Sequence, residues 1–285
     1  MVAAAALAHG GHVSTTAFYK MTGSGNDFVM VDGRLSPPEQ WTPARIAAAC
    51  DRRAGVGADG LVTLAPESAG VRMTYWNADG SRAAMCGNAA LCSARLAARL
   101  GMAPESGIRL LTDAGPVDSR CVGAGDLAEI RMPDTPVPAP VSAIALEAGE
   151  RVVWLGSVGV PHLVVLVPDV AAVDVERRGR VLRHHPAAGF EGANANFVAG
   201  PSVPGAPWLV RTFERGVEAE TLACGTGTVA AALALAAHCG VPLPLEFRSW
   251  GGEPLTVRAR VSAAVAADVW LGGQGRLVFT GNWEG

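Results

Sequence analysis

The feature that most constrains this chain is an internal repeat centred on two cysteines. In the first half, Asn77-Ala-Asp-Gly-Ser81 leads to Met85-Cys-Gly-Asn-Ala89. In the second, Glu214-Arg-Gly216 leads to Ala223-Cys-Gly-Thr-Gly227. Asn77 precedes Cys86 by nine residues, and Arg215 precedes Cys224 by nine. Each cysteine stands in a Cys-Gly-[Asn/Thr] step that enters an Ala-rich stretch with helical spacing, 89–100 in one half and 228–238 in the other. A chain repeating this unit is expected to present two equivalent helix starts within one molecule.

The surrounding pattern is one of many short strands. Runs at 28–31, 60–64, 71–76, 108–112 and 127–132 read as strands in the first half. Those at 152–155, 163–167, 208–213, 255–261, 269–271 and 277–280 follow in the second. A further helix is expected at 43–50, with Thr42 as N-cap and Pro43 in the first turn. One long helix per half among many strands predicts an α+β protein, each helix wrapped by a curved, mostly antiparallel sheet. Residues 133–140 read PDTPVPAP; four prolines in eight residues exclude a helix or central strand and mark the crossing between halves. The expected lobes are 18–132 and 133–274, with the last strand, 275–285, returning to the first lobe. Residues 1–17 are expected to be a disordered extension, and His9 and His12 within it are not expected to hold a metal.

Composition narrows the function. Apolar residues make up 49% of the 285, the net charge is −3, and no run of Lys or Arg forms a nucleic-acid face. No apolar run reaches the roughly 20 residues of a membrane span. The six cysteines form no Cys-x-x-Cys pair, and no zinc-ligand spacing accompanies them, so no metal site is expected. Free thiols in a reducing cytoplasm are the expectation. Lys20 is the only lysine and lies beside the opening loop, a poor Schiff-base candidate, and no phosphate-binding glycine motif is present. No cofactor is expected.

At a helix N-terminus, unpaired N–H groups and the helix dipole favour negative charge. A thiol there is expected to ionise more readily than a free one. The same N–H groups can hold a substrate carboxylate, and Gly87 and Gly225 let the backbone approach it. Two such elements facing each other would put one sulfur on each side of an α-carbon, one thiolate removing a proton while the opposite thiol delivers another. Cys50, Cys92, Cys121 and Cys239 lack this context and read as inert small residues.

At these residues the sequence resembles the diaminopimelate epimerase family. The resemblance extends from Phe18 onward through Gly23-Ser-Gly-Asn-Asp-Phe28, Arg53-Ala-Gly-Val-Gly-Ala-Asp-Gly-Leu61, Gly159-Val-Pro-His162, Asn194-Ala-Asn-Phe197 and Glu214-Arg-Gly216. It implies a pseudo-symmetric two-domain fold, with the substrate in the inter-domain cleft and Cys86 and Cys224 as the catalytic pair. It further implies substrate contacts from Asn26, Asn77, Asn194, Glu214 and Arg215, and from the main chain of Gly87, Asn88, Gly225 and Thr226. Arg215 could grip a carboxylate with two bonds and Glu214 could accept from an α-ammonium. The implied reaction is conversion of LL-2,6-diaminopimelate to the meso form, in lysine and cell-wall precursor synthesis, by a small-molecule enzyme whose assembly as a homodimer stays open.

Departures from the family pattern stand at Thr22, Ala89, Leu91 and Val160, and several are expected near the distal end of the substrate pocket. They keep open the same two-thiol chemistry on another amino acid. Proline-racemase-like enzymes also pair cysteines, but Glu214-Arg215 and the Asn-Asp opening loop argue against them. A non-catalytic amino-acid-binding protein is the contrasting class. It and an isomerase with a carboxylate base are disfavoured by the presence of both thiols.

Overall fold

The computed structural model describes residues 15–285. The first half runs β1 (Thr15–Gly23), β2 (Asn26–Asp32), α1 (Pro43–Cys50), β3 (Gly60–Glu67) and β4 (Gly70–Asn77). It continues with β5 (Arg82–Ala83), α2 (Gly87–Arg99), β6 (Ile108–Thr112), β7 (Gly115–Val122) and β8 (Leu127–Arg131). Two short edge pieces, β9 (Thr135–Pro136) and β10 (Ala139–Pro140), carry the chain across. The second half runs β11 (Val152–Val158), β12 (Val160–Leu166), α3 (Val175–Arg183), β13 (Asn194–Ala199) and β14 (Trp208–Glu214). Then come β15 (Ala219–Thr221), α4 (Gly225–Cys239), β16 (Leu245–Ser249), β17 (Pro254–Val261), β18 (Val265–Gln274) and β19 (Arg276–Glu284).

The pairing scheme repeats. In the first half β1–β2, β3–β4, β4–β5, β6–β7 and β7–β8 are antiparallel, and β2–β3 and β4–β6 are parallel. In the second half β11–β12, β13–β14, β14–β15, β16–β17 and β17–β18 are antiparallel, and β12–β13 and β14–β16 are parallel. The first of each parallel pair is joined through a helix, α1 or α3, as a parallel connection requires. The last strands of the two units, β8 and β18, pair with each other, and β19 pairs with β1. The fold is α+β, and its sheet is mostly antiparallel as expected.

Burial explains the helices. α2 packs against β1, β2, β3, β4, β6, β7, β8 and β18; α4 packs against β11, β12, β13, β17 and β18. Residues 227–235 of α4 are all buried, so this helix is apolar on every side, as an enclosed helix must be. Its Ala-rich composition lets strands approach from all directions. α1 instead has one apolar face, and its start is fixed by the Thr42 hydroxyl accepting from Arg45 N–H with Pro43 at the first position.

The strands between an inner and an outer helix are buried on both faces, which is why they read as unbroken apolar runs. In β2, Phe28 and Met30 join the core around α2 and α4, while Val29 and Val31 join Ile46 and Ala49 of α1. In β12, Val164 faces that shared core, and Leu163 and Val165 face Val175 and Leu182 of α3. The sequence reading missed α3, the counterpart of α1. Its composition, VERRGRVLR, is mostly charged, and its apolar face becomes visible only against β13 and β14.

Thr15, Thr16 and Ala17, expected in a disordered extension, pair with Glu284, Trp283 and Asn282. The partner strand lies 265 to 269 residues away in the chain, so local composition could not reveal it. Residues 1–14, with His9 and His12, lie outside the described residues. No helix among the described residues is long and apolar enough to cross a membrane.

Candidate active site

Cys86 and Cys224 are the N-cap residues of α2 and α4, both with extended backbone. Cys86 is half-buried and Cys224 buried. The N–H groups of Ala89 and Asn88 face the Cys86 sulfur, and those of Gly227 and Thr226 face Cys224. The Thr226 hydroxyl lies 3.6 Å from Cys224 Sγ. Gly87, Asn88, Gly225 and Thr226 thus occupy the first turns, where free N–H groups converge.

One expectation is corrected here. Both thiols lie above the ordinary thiol range, not below it, because burial outweighs the N–H groups that favour thiolate. Cys224 is pushed up to about 11, with the Glu214 carboxylate adding to the burial effect. Cys86 is also raised by burial, with smaller contributions from Asp59 and Glu214. Glu214 is half-buried at the end of β14, and burial raises its own pKa against the favourable Thr221 hydroxyl. Its charge opposes ionisation of both sulfurs. The opening loop reaches the second half as well, since a Cβ on Gly25 would lie 3.3 Å from Leu222 Cβ and 3.7 Å from Ala223 Cβ.

Asn26 and Asn88 meet directly: Asn88 Nδ2 donates to Asn26 Oδ1 at 2.8 Å. Asn88 also donates to Ser24 O at 3.3 Å, across the β1–β2 turn where Ser24 and Gly25 take positive φ. Thr22 closes the same turn through Oγ1 to Asn26 O at 3.0 Å. Asn77 is exposed at the end of β4. It accepts from Tyr75 Oη at 3.1 Å and donates to Ser81 Oγ at 3.0 Å, joining none of the other candidates by a side-chain bond among the described residues.

In the second half, Asn194 Oδ1 accepts from Arg215 N–H at 2.6 Å, which ties the Glu214-Arg215 step to β13. The Arg215 guanidinium is engaged by Glu191, Nη1 to Oε2 at 2.8 Å. His162, fully buried, receives the Asn194 and Asn196 amides at Nδ1, 3.4 and 3.3 Å away. Burial, with Arg215 nearby, depresses its pKa to about 3. With amide hydrogens at Nδ1 the ring proton belongs on Nε2, which has no partner among the described residues.

The sequence reading quoted the segments holding His162, Asn196 and Asp59 but did not name these residues as site residues. Asn196 also donates to Leu163 O at 2.9 Å and accepts from Thr212 Oγ1 at 2.9 Å. Its Oδ1 lies where a Cβ on Gly227 would sit, at 2.0 Å, so the glycine of Cys-Gly-Thr-Gly is a packing requirement. In the first half Ala89 fills the equivalent position and is fully buried. Leu91 is fully buried in the shared core, its Cδ1 close against Gly273. Both side chains belong to the core cluster around α2 and α4. Val160 is half-buried at the start of β12.

The other thiols differ. Burial pushes Cys50 up to about 11, Cys92 further up, and Cys121 upward. None of the six cysteines is in a disulfide.

The family profile described as diaminopimelate epimerase matches residues 18–135 and again residues 155–259. The two matches fall one on each repeat. The chain belongs to the diaminopimelate epimerase family. A diaminopimelate epimerase from Gemmatimonas aurantiaca is 44% identical, spanning 94% of this chain and 99% of its own length. One from Aquifex aeolicus is 38% identical over 84% and 88%, and one from the archaeon Archaeoglobus fulgidus is 38% identical over 76% and 80%. Among solved structures, a Bacillus anthracis phenazine biosynthesis protein of the PhzF family superposes with a TM-score of 0.70 at 16% identity. It covers 94% of this chain and 99% of its own. An Agrobacterium vitis hydroxyproline epimerase superposes at 0.62 with 18% identity, covering 94% and 92%. These two establish that the fold of this diaminopimelate epimerase family member is shared more widely than its sequence.

Proposed function

We propose that this protein is a cofactor-independent isomerase that converts LL-2,6-diaminopimelate to the meso form, with Cys86 and Cys224 as the acid/base pair. The observation that carries the reading is the pair of matched cysteine caps, each at the start of an enclosed helix and one in each of the two family-matched repeats. The matched relatives carry the name diaminopimelate epimerase, which supports the substrate. The Ala89 and Leu91 side chains belong to the core cluster, which favours this substrate over another amino acid.

One sulfur is a thiolate and accepts the α-hydrogen as a proton, breaking the C–H bond and leaving its electron pair on carbon. The opposite thiol delivers its proton to the other face, and configuration inverts. The two sulfurs have then exchanged protonation states, and the reverse reaction uses them in the opposite roles. Burial favours the thiol form of both groups before substrate binds, and one proton passes to solvent as the thiolate forms. A cationic α-ammonium and the converging N–H groups favour the thiolate once substrate binds. The substrate carboxylate fits the first-turn N–H groups of α2 and α4. Such thiols require a reducing environment.

The test is proton NMR with LL-diaminopimelate in D₂O and no added cofactor. Loss of the α-proton signal with appearance of the meso isomer is expected from the wild type. Cys86→Ser and Cys224→Ser should each slow it by about 10²–10⁴-fold, since a hydroxyl is too weak a base. Wild-type turnover in both variants would end the two-thiol reading.

A further inference from the structure

The polarity of an asparagine amide is set by what its two ends meet. Asn26 lies beside Asn88 in the first turn of α2, and its amide nitrogen faces Asp59. Asp59 Oδ2 accepts from Asn26 Nδ2 at 2.9 Å and from Asp27 N–H at 3.2 Å. Asp59 Oδ1 accepts from Arg52 Nη2 at 2.8 Å. A carboxylate only accepts, so Asn26 must turn its NH₂ toward Asp59 and its oxygen toward Asn88. Asn88 then commits both amide hydrogens, to Asn26 Oδ1 and Ser24 O. Its oxygen is the end left to meet a ligand.

Asp59 is itself held firmly. Its N–H donates to Asp27 O at 3.0 Å and to Asp27 Oδ1 at 3.1 Å, and its carbonyl accepts from Ala78 N–H at 3.0 Å. Arg52 bridges it to Asp27, which also pairs with Lys20 at 2.7 Å. The two cations and two carboxylates balance within this cluster. A rigid acceptor is therefore placed two hydrogen bonds from the turn that carries Cys86.

We propose that Asp59 is a positioning residue of the Cys86 half-site, fixing the amide polarity of Asn26 and through it that of Asn88. The proposal rests on the acid/base role assigned to Cys86. A carboxylate held in this place also opposes ionisation of Cys86, so its removal is expected to register at that thiol without substrate. The other groups facing Cys86 are Glu214 from β14, Tyr75 from β4, Cys92 within α2, and the N–H groups of Asn88 and Ala89.

Asp59→Asn keeps the size and removes the charge and the acceptor-only character. Two readouts are measured on full-length protein, with thermal unfolding as the check on folding. In the first, kcat/KM for α-proton exchange is expected to fall about 10–100-fold. The double variant Asn26→Asp with Asp59→Asn, which again presents an acceptor to Asn88, is expected to recover much of that loss. In the second, alkylation of Cys86 by iodoacetamide is followed against pH by peptide mass spectrometry. Its midpoint is expected to move to lower pH in Asp59→Asn, because a charge opposing the thiolate is removed. The second readout needs no substrate, so a wild type that exchanged no α-proton would refute the epimerase reading and leave the alkylation arm to decide on Asp59. A folded Asp59→Asn with unchanged exchange or an unchanged alkylation midpoint overturns the proposal. So does a double variant no better than the single one.

Discussion

At the residue scale, the arginine expected to grip a carboxylate already grips one. Arg215 pairs with Glu191, whose side chain is 75% exposed. An exposed pair of this kind contributes little and exchanges readily. Substrate carboxylate arriving at Arg215 must displace Glu191, and that displacement subtracts from binding. Glu191→Gln is expected to lower KM for diaminopimelate by about two- to fivefold with kcat nearly unchanged, a shift matching an exposed ion pair. Steady-state kinetics checks it; an unchanged KM would mean that Arg215 does not meet the substrate. The Cys86 and Cys224 helix starts were legible in the sequence because a repeated local motif marks them. Glu191 was not, because nothing local distinguishes a loop glutamate that happens to face an arginine 24 residues on.

At the element scale, α2 and α4 are equivalent helices with unequal first turns. Gly227 exists because the Asn196 amide occupies the space beside it, held there by Thr212 and Leu163 O. Gly227→Ala forces that network or the Cys224 sulfur, 3.2 Å from the added carbon, to move. The expected cost is about 1–3 kcal/mol of stability, together with loss of exchange activity. Gly107→Ala, where an added Cβ meets nothing within 4 Å, is the control and should leave the melting temperature in place. Helix starts were legible, since N-caps and Ala-rich spacing are local. α3 was not, because its amphipathic face is short and charged, and only the sheet beneath it makes that face apolar in effect.

At the scale of the whole molecule, stability should have a plateau bounded by buried groups. His162 stays neutral to about pH 3 in the folded protein, against an ordinary value of 6.5. The unfolded chain therefore takes up this proton first, and stability falls as pH drops below about 6.5. Burial acts to raise Asp27, but Arg52 and Lys20 together hold it down to about 2, which adds a second loss below its ordinary value of 3.8. On the alkaline side Cys224 and Cys50 keep their protons to about 11, so stability declines as pH rises from 9. Urea unfolding should show a loss of about 1.4 kcal/mol per pH unit on the His162 limb. His162→Gln should flatten that limb between pH 6 and 4.5; a limb of unchanged slope would show that another group controls it.

The same scale separates what the sequence determined from what the tertiary structure decided. Strand runs, helix caps and the cysteine repeat follow from short-range rules, because backbone geometry and N-terminal N–H groups act within a turn or two. The repeat also implied two units of one plan, and the pairing scheme of β1–β8 recurs in β11–β18. Closure through β8–β18 and β1–β19 joins residues far apart in the chain, and no local signal encodes such a partner. The thiol ionisation was misjudged for the same reason. Helix-start N–H groups are readable from sequence and lower a thiol pKa, but burial by distant strands raises it and is the larger effect here. Which groups are dry is a property of the folded whole.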